Sequence, residues 1–370
     1  PTVKVGDKVK IGDVIGSSEA AMSAPVHSSI SGTVTAITDV LHISGRNMQS
    51  VVIENDGLEE VSDSVCPPTV ENREQFLQAV RNSGSIGLGG AGFPTSLKLG
   101  FDPKEKQPDF LIINGAECEP YITSDYRCFM EEGEDVLEGV LLMLKYLGIP
   151  KCIIGIEKNK PKAIEKMTRL CEKHDNITVK PLKSSYPQGA EKTLIFSTTG
   201  RVVKEGTLPL ASGCIVVNSS TAAFIAQYIR TGMPLVKRRI TVDGNIVKKP
   251  SNFIVPVGMS IGEIVYYAEL SDKPDRIILG GPMMGACAFD PDYPLSKTNN
   301  AVLMFADSPV YEPSECIRCG KCVKACSMNL LPTELEHAFD MRDARQLEKL
   351  KVNLCVNCGA CSFVCPAKRN

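Results

Sequence analysis

The chain has 370 residues, enough for two or three domains with a sizeable core. Its 41 basic and 43 acidic side chains almost cancel, which removes the electrostatic footprint of a nucleic-acid binder, and 43% apolar with 23% charged residues is ordinary for a globular chain. No apolar stretch reaches the ~18–20 residues that span a bilayer, because the longest, Val136 to Ile149, is interrupted by Gly139 and Lys145.

Residues 1 to about 57 read as all-β. Val3, Val5, Val9, Ile11, Val14 and Ile15 are separated by Gly6-Asp7 and Gly12-Asp13 turns, and Ser31-Gly32 precedes the strand-like run 33–37. The pattern "VKVGDKVKIGDVIG…APVHSSISGTVTAI" resembles the barrel-sandwich fold of lipoyl and biotinyl carriers, which present a modified lysine on a hairpin tip. The corresponding stretch here, Gly16 to Ser23, holds no lysine, so an unmodified docking module is expected. Pro67-Pro68 marks a linker. Beyond it the pattern alternates: an amphipathic helix from Asn72 to Asn82 ending at Gly84, a buried strand from Phe110 to Ile113, and a helix from about Gly133 to Leu147 stopped by Gly148. A strand from Cys152 to Ile156, a helix capped by Asn159 with Pro161 in its first turn, and a strand from Ile177 to Leu182 follow. These βαβ units predict an α/β core with parallel strands over 67–235. Strands return from Arg238 to about Gly285, with Asp243-Gly244 as a hairpin signal.

Cysteine is the compositional outlier. Eight of the fifteen lie between Cys316 and Cys365. Cys316, Cys319, Cys322 and Cys326 follow C-x2-C-x2-C-x3-C; Cys355, Cys358, Cys361 and Cys365 repeat it, with Pro366 behind. Clustered spacing of this kind, without a secretory signal, reads as metal ligation in a reducing compartment rather than disulfides. A four-cysteine zinc site needs only two C-x-x-C pairs, whereas two such runs are the signature of paired 4Fe-4S clusters in which each fourth cysteine ligates the other cluster. The expected ligand sets are therefore Cys316, Cys319, Cys322 and Cys365 for one cluster, and Cys355, Cys358, Cys361 and Cys326 for the second. Ser327 stands where proline usually follows the fourth cysteine. Between the runs, Leu335, Ala338, Phe339, Leu347 and Leu350 predict one helix from Thr333 to Leu350, with Thr333 as its cap and His337 on its surface. The start at Pro1, inside a strand-like pattern, and the end at Asn370, five residues after Cys365, lead us to expect an excerpt of a longer polypeptide.

The run "GLGGAGFPTSLKLGF" spans Gly87 to Phe101. Gly87, Gly89, Gly90 and Gly92 allow backbone to approach a phosphate, and Lys98 follows to supply charge. It is neither a Rossmann fingerprint, since no clear strand precedes it, nor a P-loop, since no G-K-[ST] occurs. Asn114-Gly115-Ala116-Glu117-Cys118-Glu119 comes directly off the buried strand, at the end where α/β proteins build ligand sites.

These motifs, with "YPQGAEKTL" and "GGPMMG", closely resemble the C-subunit family of the Rnf ferredoxin:NAD oxidoreductase complexes, over essentially the whole chain. More distantly they are similar to the NADH-binding flavoprotein subunit of respiratory complex I. The resemblance implies FMN held at the phosphate by Gly87, Gly89, Gly90, Gly92 and Lys98, with Asn114, Glu117 and Asn218 around the flavin and ribityl groups. It implies Phe93, Phe101, Glu119, Tyr186 and Gly189 on the nicotinamide-nucleotide side. Ala116 and Ala190 depart from the complex I pattern, which has acidic residues there. The segment after Arg239 resembles a soluble-ligand-binding β-grasp module. The implied architecture is α/β multidomain: a barrel-sandwich hybrid module at 1–66, an FMN- and NAD(H)-binding α/β core at 67–235, a β-grasp module at 236–300, and an α-helical ferredoxin domain with two 4Fe-4S clusters at 301–370.

A nicotinamide releases two electrons together as hydride, whereas each cluster takes one, and a flavin exchanges electrons in either number. No side-chain acid or base is needed for hydride transfer to flavin, so no catalytic residue is assigned. The resemblance implies a peripheral NAD(H)-oxidoreducing subunit on the cytoplasmic face of a bacterial membrane. It would receive ferredoxin-derived electrons through other subunits of an ion-translocating complex, without a transmembrane segment of its own. A soluble cobalamin reductase sharing these motifs and a flavin-less electron carrier are the alternatives.

Overall fold

The N-terminal module combines two long strands with three short ones. β1 (Lys8–Val9), β4 (Gly32–Leu41) and β5 (Asn47–Asn55) pair antiparallel in the order β1-β4-β5, and β2 (Val14–Gly16) pairs with β3 (Val26–His27). Val9, Ile15 and Val34 fill its small core. These are features of a computed structural model that describes residues 1–43, 45–307 and 309–370.

The α/β core begins with α1 (Arg73–Asn82), whose cap Asn72 accepts a hydrogen bond from the Gln75 amide at 2.9 Å, and the short α2 (Thr95–Leu99). Next come β6 (Phe110–Gly115), α3 (Ser124–Leu147), β7 (Lys151–Glu157), α4 (Pro161–Cys171), β8 (Ile177–Leu182), α5 (Glu191–Thr199), β9 (Cys214–Asn218) and α6 (Ser219–Thr231). The four strands are parallel, as expected, in the order β8-β7-β6-β9. Alternation along each strand separates two apolar layers. Leu111, Ile113, Ile215 and Val217 join the layer of α3, α4 and α6, while Ile112, Cys214 and Val216 join Leu194 and Ile195 of α5. The chain thus steps from β6 to β8 in one direction, then crosses the other face to reach β9. That reversal makes the β6–β9 seam a topological switch point, where a crevice opens at the carboxyl ends.

Two expectations are corrected here. Helix α3 starts nine residues before Gly133, with a kink at Glu132. Lys160, not Asn159, occupies the cap position of α4, with Pro161 at the first turn.

The third module holds β10 (Lys237–Asp243), β11 (Ser251–Pro256), α7 (Ile261–Tyr267), β12 (Arg276–Leu279), β13 (Ala286–Ala288) and β14 (Ala301–Phe305), its sheet ordered β11-β10-β14-β12-β13. β14 lies between β10, to which it runs parallel, and β12, to which it runs antiparallel, so the module extends past residue 300 to take it in. Asp243-Gly244 opens the β10–β11 connection, but the next strand starts only at Ser251, so no tight hairpin forms there.

The tail contains α8 (Lys321–Ala325), α9 (Pro332–Asp340), α10 (Ala344–Lys349) and α11 (Ala360–Phe363). The single helix expected from Thr333 to Leu350 is two helices. The first starts at Pro332, and Asp343 caps the second by accepting from the Gln346 amide at 3.0 Å. His337 is exposed, in keeping with a surface position. No helix among the described residues is long and apolar enough to cross a membrane.

Candidate functional site

Strand register sets the site. Asn114 and Asn218 are paired residues at the ends of β6 and β9, on either side of the switch point. Asn114 donates to the Gly189 carbonyl at 2.9 Å and accepts from the Ala116 amide at 3.1 Å, which fixes the turn after β6. Asn218 caps α6 by accepting from the Ser220 amide at 3.0 Å, and it donates to Asp125 at 2.8 Å. Ser220 donates to the same carboxylate at 2.8 Å. Asp125 therefore ties the N-terminus of α3 to that of α6.

The glycine loop lies over this junction. Gly87 donates to the Phe93 carbonyl at 2.8 Å, and the Leu88 amide donates to the Thr221 hydroxyl of α6 at 3.0 Å. A Cβ on Gly89 would stand 3.3 Å from the Asn218 amide nitrogen, whereas one on Gly90 (φ +103°) would meet open space. Gly89, Gly90 and Ala91 are exposed, and their N–H groups find no acceptor among the described residues. Exposed, unused amides above a helix N-terminus are a fitting cradle for a phosphate.

Burial governs the charged groups beneath the loop. Glu117 accepts from the Asp125 and Tyr126 amides at 2.7 and 3.2 Å, and Lys160 lies 3.8 Å away. Burial and the nearby Asp125 charge still push its carboxyl up to about 8. Asp125 is also shifted upward by burial. Arg238, buried opposite, is lowered to about 10 by desolvation and donates to the Leu88 carbonyl. Burial raises the Cys118 thiol to about 11, and its sulfur accepts from the Gly189 amide at 3.4 Å.

Of the seven buried polar side-chain atoms without partners among the described residues, His27 Nδ1 and Arg73 Nε lie elsewhere and five follow the parallel strands. Glu119 Oε1 after β6, Glu157 Oε2 at the end of β7, Gln188 Nε2 after β8, Thr193 Oγ1 at the start of α5 and Ser219 Oγ after β9 are all orphaned. Each unsatisfied buried group in a folded protein calls for an explanation, and a bound polar ligand along the carboxyl edge of the sheet provides one for all five. The residues present therefore fit a nucleotide-like group.

Two expected ligand residues are placed differently. Lys98 donates to Glu191 at 2.6 Å and to the Val216 carbonyl at 3.1 Å, so its ammonium is held by the protein. Phe101 is 7% exposed and sits in the main core with Phe76 and Leu99, under the Arg73 guanidinium, so it is a packing residue and not a stacking platform. Phe93 lies half-buried on the loop. Glu191, Asp125 and Thr221 were missed from the sequence. For Thr221 the signal was present, since Asn218-Ser219-Ser220 is a helix-start pattern.

The cysteine runs fold as two copies of one loop. Arg318 and Asn357 (φ +54° and +53°), Gly320 and Gly359 (φ +70° and +72°), and Asn329 and Lys368 (φ +55° and +53°) are each 39 residues apart, as are Cys316 and Cys355. The Arg318, Asn357 and Leu330 amides each donate at 3.4 Å to the sulfur of Cys316, Cys355 and Cys326 respectively. Amides aimed at cysteine sulfurs suit thiolates that carry charge. Cys316, Cys319, Cys322 and Cys365 line one cavity of about 90 Å³, with Cys361 also on its wall. No three His, Cys, Asp or Glu groups among the described residues converge on a single-ion position. A tetrahedral ion with ~2.3 Å bonds would draw sulfurs together, whereas a cubane binds each sulfur through a different iron.

Against known families, a Nuo51 FMN-binding domain matches residues 80–227, a 4Fe-4S dicluster domain matches 315–368, and an RnfC barrel sandwich hybrid domain matches 1–58. The chain is similar in fold to two structures of an NAD+-reducing NiFe hydrogenase. The air-oxidised form gives a TM-score of 0.55 at 23% identity, covering 65% of this chain and 48% of that one. The H2-reduced form gives 0.58 at 20% identity, covering 80% and 60%. Among curated relatives, the C subunit of the Na+-translocating ferredoxin:NAD+ oxidoreductase complex of Acetobacterium woodii is 40% identical, over 90% of this chain and 77% of that protein. The C subunit of the proton-translocating ferredoxin:NAD+ oxidoreductase complex of Clostridium ljungdahlii is also 40% identical, over 96% and 78%. That of the ion-translocating oxidoreductase complex of Rhodobacter capsulatus is 35% identical, over 94% and 69%. With an RnfC domain matched and identity sustained over nearly its whole length, the chain belongs to the C-subunit family of the Rnf-type ion-translocating oxidoreductase complexes.

Proposed function

We propose that this chain is the NAD(H)-handling peripheral subunit of an Rnf complex, passing electrons between ferredoxin-derived 4Fe-4S clusters and NAD through FMN at the cytoplasmic face of the membrane. Ion translocation resides in other subunits. The observation that carries the reading is the set of orphaned polar atoms after the parallel strands, together with a glycine loop whose amides are unused. FMN bound there supplies conversion between hydride transfer and single-electron transfer.

The chain's own residues do the positioning. Gly89, Gly90 and Ala91 offer N–H donors to the phosphate, and Asn114 and Asn218 set the width of the crevice from paired strand ends. Lys98 holds Glu191 at the mouth of α5, and Glu119, with one orphaned oxygen, faces the nicotinamide-nucleotide side with Phe93 and Gly189. Two clusters are assigned, one to Cys316, Cys319, Cys322 and Cys365, the other to Cys355, Cys358, Cys361 and Cys326. The cavity shared by the first set supports that crossing. The domains are taken as 1–66, 67–235, a β-grasp module from 236 to about 306, and the helical cluster domain beyond.

An anaerobic absorbance titration of the cluster-loaded chain with FMN and then NADH tests this. Stoichiometric bleaching of the flavin band, followed by loss of the broad iron–sulfur absorbance, is the expected result. Failure to bind FMN, or a flavin that stays oxidised under NADH, refutes the pocket and leaves an electron-carrying scaffold.

A further inference from the structure

Three modules meet at one hydroxyl. Tyr186, in the loop after β8, donates to the backbone carbonyl of Cys358 at 2.6 Å, across 172 residues of sequence. Glu119, in the loop after β6, faces the same hydroxyl. Glu119 Oε2 accepts from the Met283 amide of the third module at 3.1 Å. A Cβ on Gly281 would fall 2.2 Å from that oxygen, so this close approach depends on glycine. Met283 returns the contact to the cluster loop: its carbonyl would stand 3.2 Å from a Cβ on Gly359. Glu119, Met283, Gly359-Cys358 and Tyr186 thus close a ring through the α/β core, the third module and the second cysteine run.

We propose that Tyr186 is a positioning residue for the second cluster. It locks the Cys358 loop to the carboxyl edge of the parallel sheet, and its hydrogen bond favours the reduced form of the cluster bound there. This role rests on the ligand assignment above and differs from a role on the nicotinamide nucleotide. The physical argument is electrostatic. A hydroxyl donor aimed at the peptide of a ligating cysteine draws electron density from the ligand, and second-shell bonds of this kind set ligand orientation and cluster potential. Removing one hydrogen bond of ordinary strength shifts the reduced-to-oxidised ratio at a fixed potential by about fivefold.

The test is Tyr186→Phe in the full, cluster-loaded chain, which keeps the ring and deletes only the donor. Redox titration followed by electron paramagnetic resonance reads each cluster separately, the second being the component that Cys358→Ser abolishes. The expected result is a lower midpoint potential for that component alone, NADH affinity within about twofold of wild type, and faster amide exchange across 355–361. Unchanged midpoints with weakened NADH binding overturn the proposal and return Tyr186 to the nucleotide side. An equal shift of both components overturns it as well, because the effect is then not local. A wild-type chain that holds no second cluster refutes the ligand assignment itself, and this role falls with it.

Discussion

Gly139→Ala is expected to loosen the site from behind. Gly139 lies in α3 at its closest approach to α6, where an added Cβ would stand 1.9 Å from the Ala222 carbonyl oxygen and 2.7 Å from the carbonyl carbon. Ordinary C···O contacts fall near ~3.3–3.6 Å, so the helices must part by about 1.5 Å. The opposing atoms are backbone, which no rotamer change can move aside. Overpacking of this kind costs about 3 kcal/mol, and a gap of that width also forfeits much of the dispersion between Val136, Val140, Ala222 and Ile225 in the shared layer. Alanine's better helix propensity offsets roughly 0.8–1.0 kcal/mol of this. The net loss is about 2 kcal/mol, and it reaches the site because Asp125 at the head of α3 bonds Asn218 and Ser220 at the head of α6. Urea unfolding by circular dichroism, with FMN retention measured in parallel, provides the assay. Gly133→Ala is the control, since a Cβ there meets flexible side-chain ends of Lys166 and Leu170 at 3.0–3.3 Å and is expected to be near neutral. A Gly139→Ala midpoint equal to or above wild type refutes the reasoning.

Three further outcomes follow from the same geometry. Glu117 has a higher pKa folded, about 8, than its ordinary 4.5, so it binds its proton more tightly in the native state; its contribution to stability should be fully present below about 4.5 and fall as pH rises to 8, and Glu117→Gln should flatten that slope in denaturant midpoints taken across the range. Lys98→Met leaves the Glu191 carboxylate without its 2.6 Å partner at the mouth of α5, and should weaken FMN binding at least about tenfold by flavin fluorescence. Gly232→Ala places a Cβ 2.1 Å from the Cys66 carbonyl oxygen at φ +74°, and should lower the thermal midpoint by several degrees while leaving iron content unchanged.

Asn114 and Asn218 were legible because each ends a strand-like apolar run, and their mutual register then follows from parallel pairing. The 4Fe-4S character of the tail was legible because the two cysteine runs mark it by spacing alone, and a dicluster domain matches 315–368. Long-range partners were not. The fate of Lys98 depends on Glu191, 93 residues away, and local sequence only marks it as a cation near glycines. Phe101 follows the same ambiguity, since an aromatic after a glycine loop serves equally as platform or core, and the packing of α1 decides for core. The first turns of α3 escaped detection because Ser124, Asp125 and Glu132 are spent on polar work and break the apolar period. β14 escaped assignment to the third module because its parallel neighbour β10 lies about sixty residues upstream, with β11, α7, β12 and β13 between them.

The crossing of cluster ligands yields the sharpest remaining contrast. If each run closed its own cluster, Cys365→Ser would empty the site of Cys355, Cys358 and Cys361. The cavity lined by Cys316, Cys319, Cys322 and Cys365 argues for the opposite, with Cys365 completing the first run's set. The packing of α8 on α11 gives the physical reason. Each short helix begins at a left-handed glycine, Gly320 or Gly359, and the cysteine after each helix leaves in extended or turn geometry, Cys326 at φ −75° and ψ 111°. On the proposed assignment, the fourth cysteine of each run reaches the facing copy, as Cys365 does in lining the first run's cavity. Cys365→Ser should therefore weaken the cluster whose loop carries Arg318, and spare the one whose Cys358 is bonded by Tyr186. Iron analysis should fall by up to half, with the surviving paramagnetic component still responsive to Tyr186→Phe in the double variant. A surviving component that ignores Tyr186 would mean the runs ligate uncrossed, and Cys326→Ser would then have to produce the complementary loss.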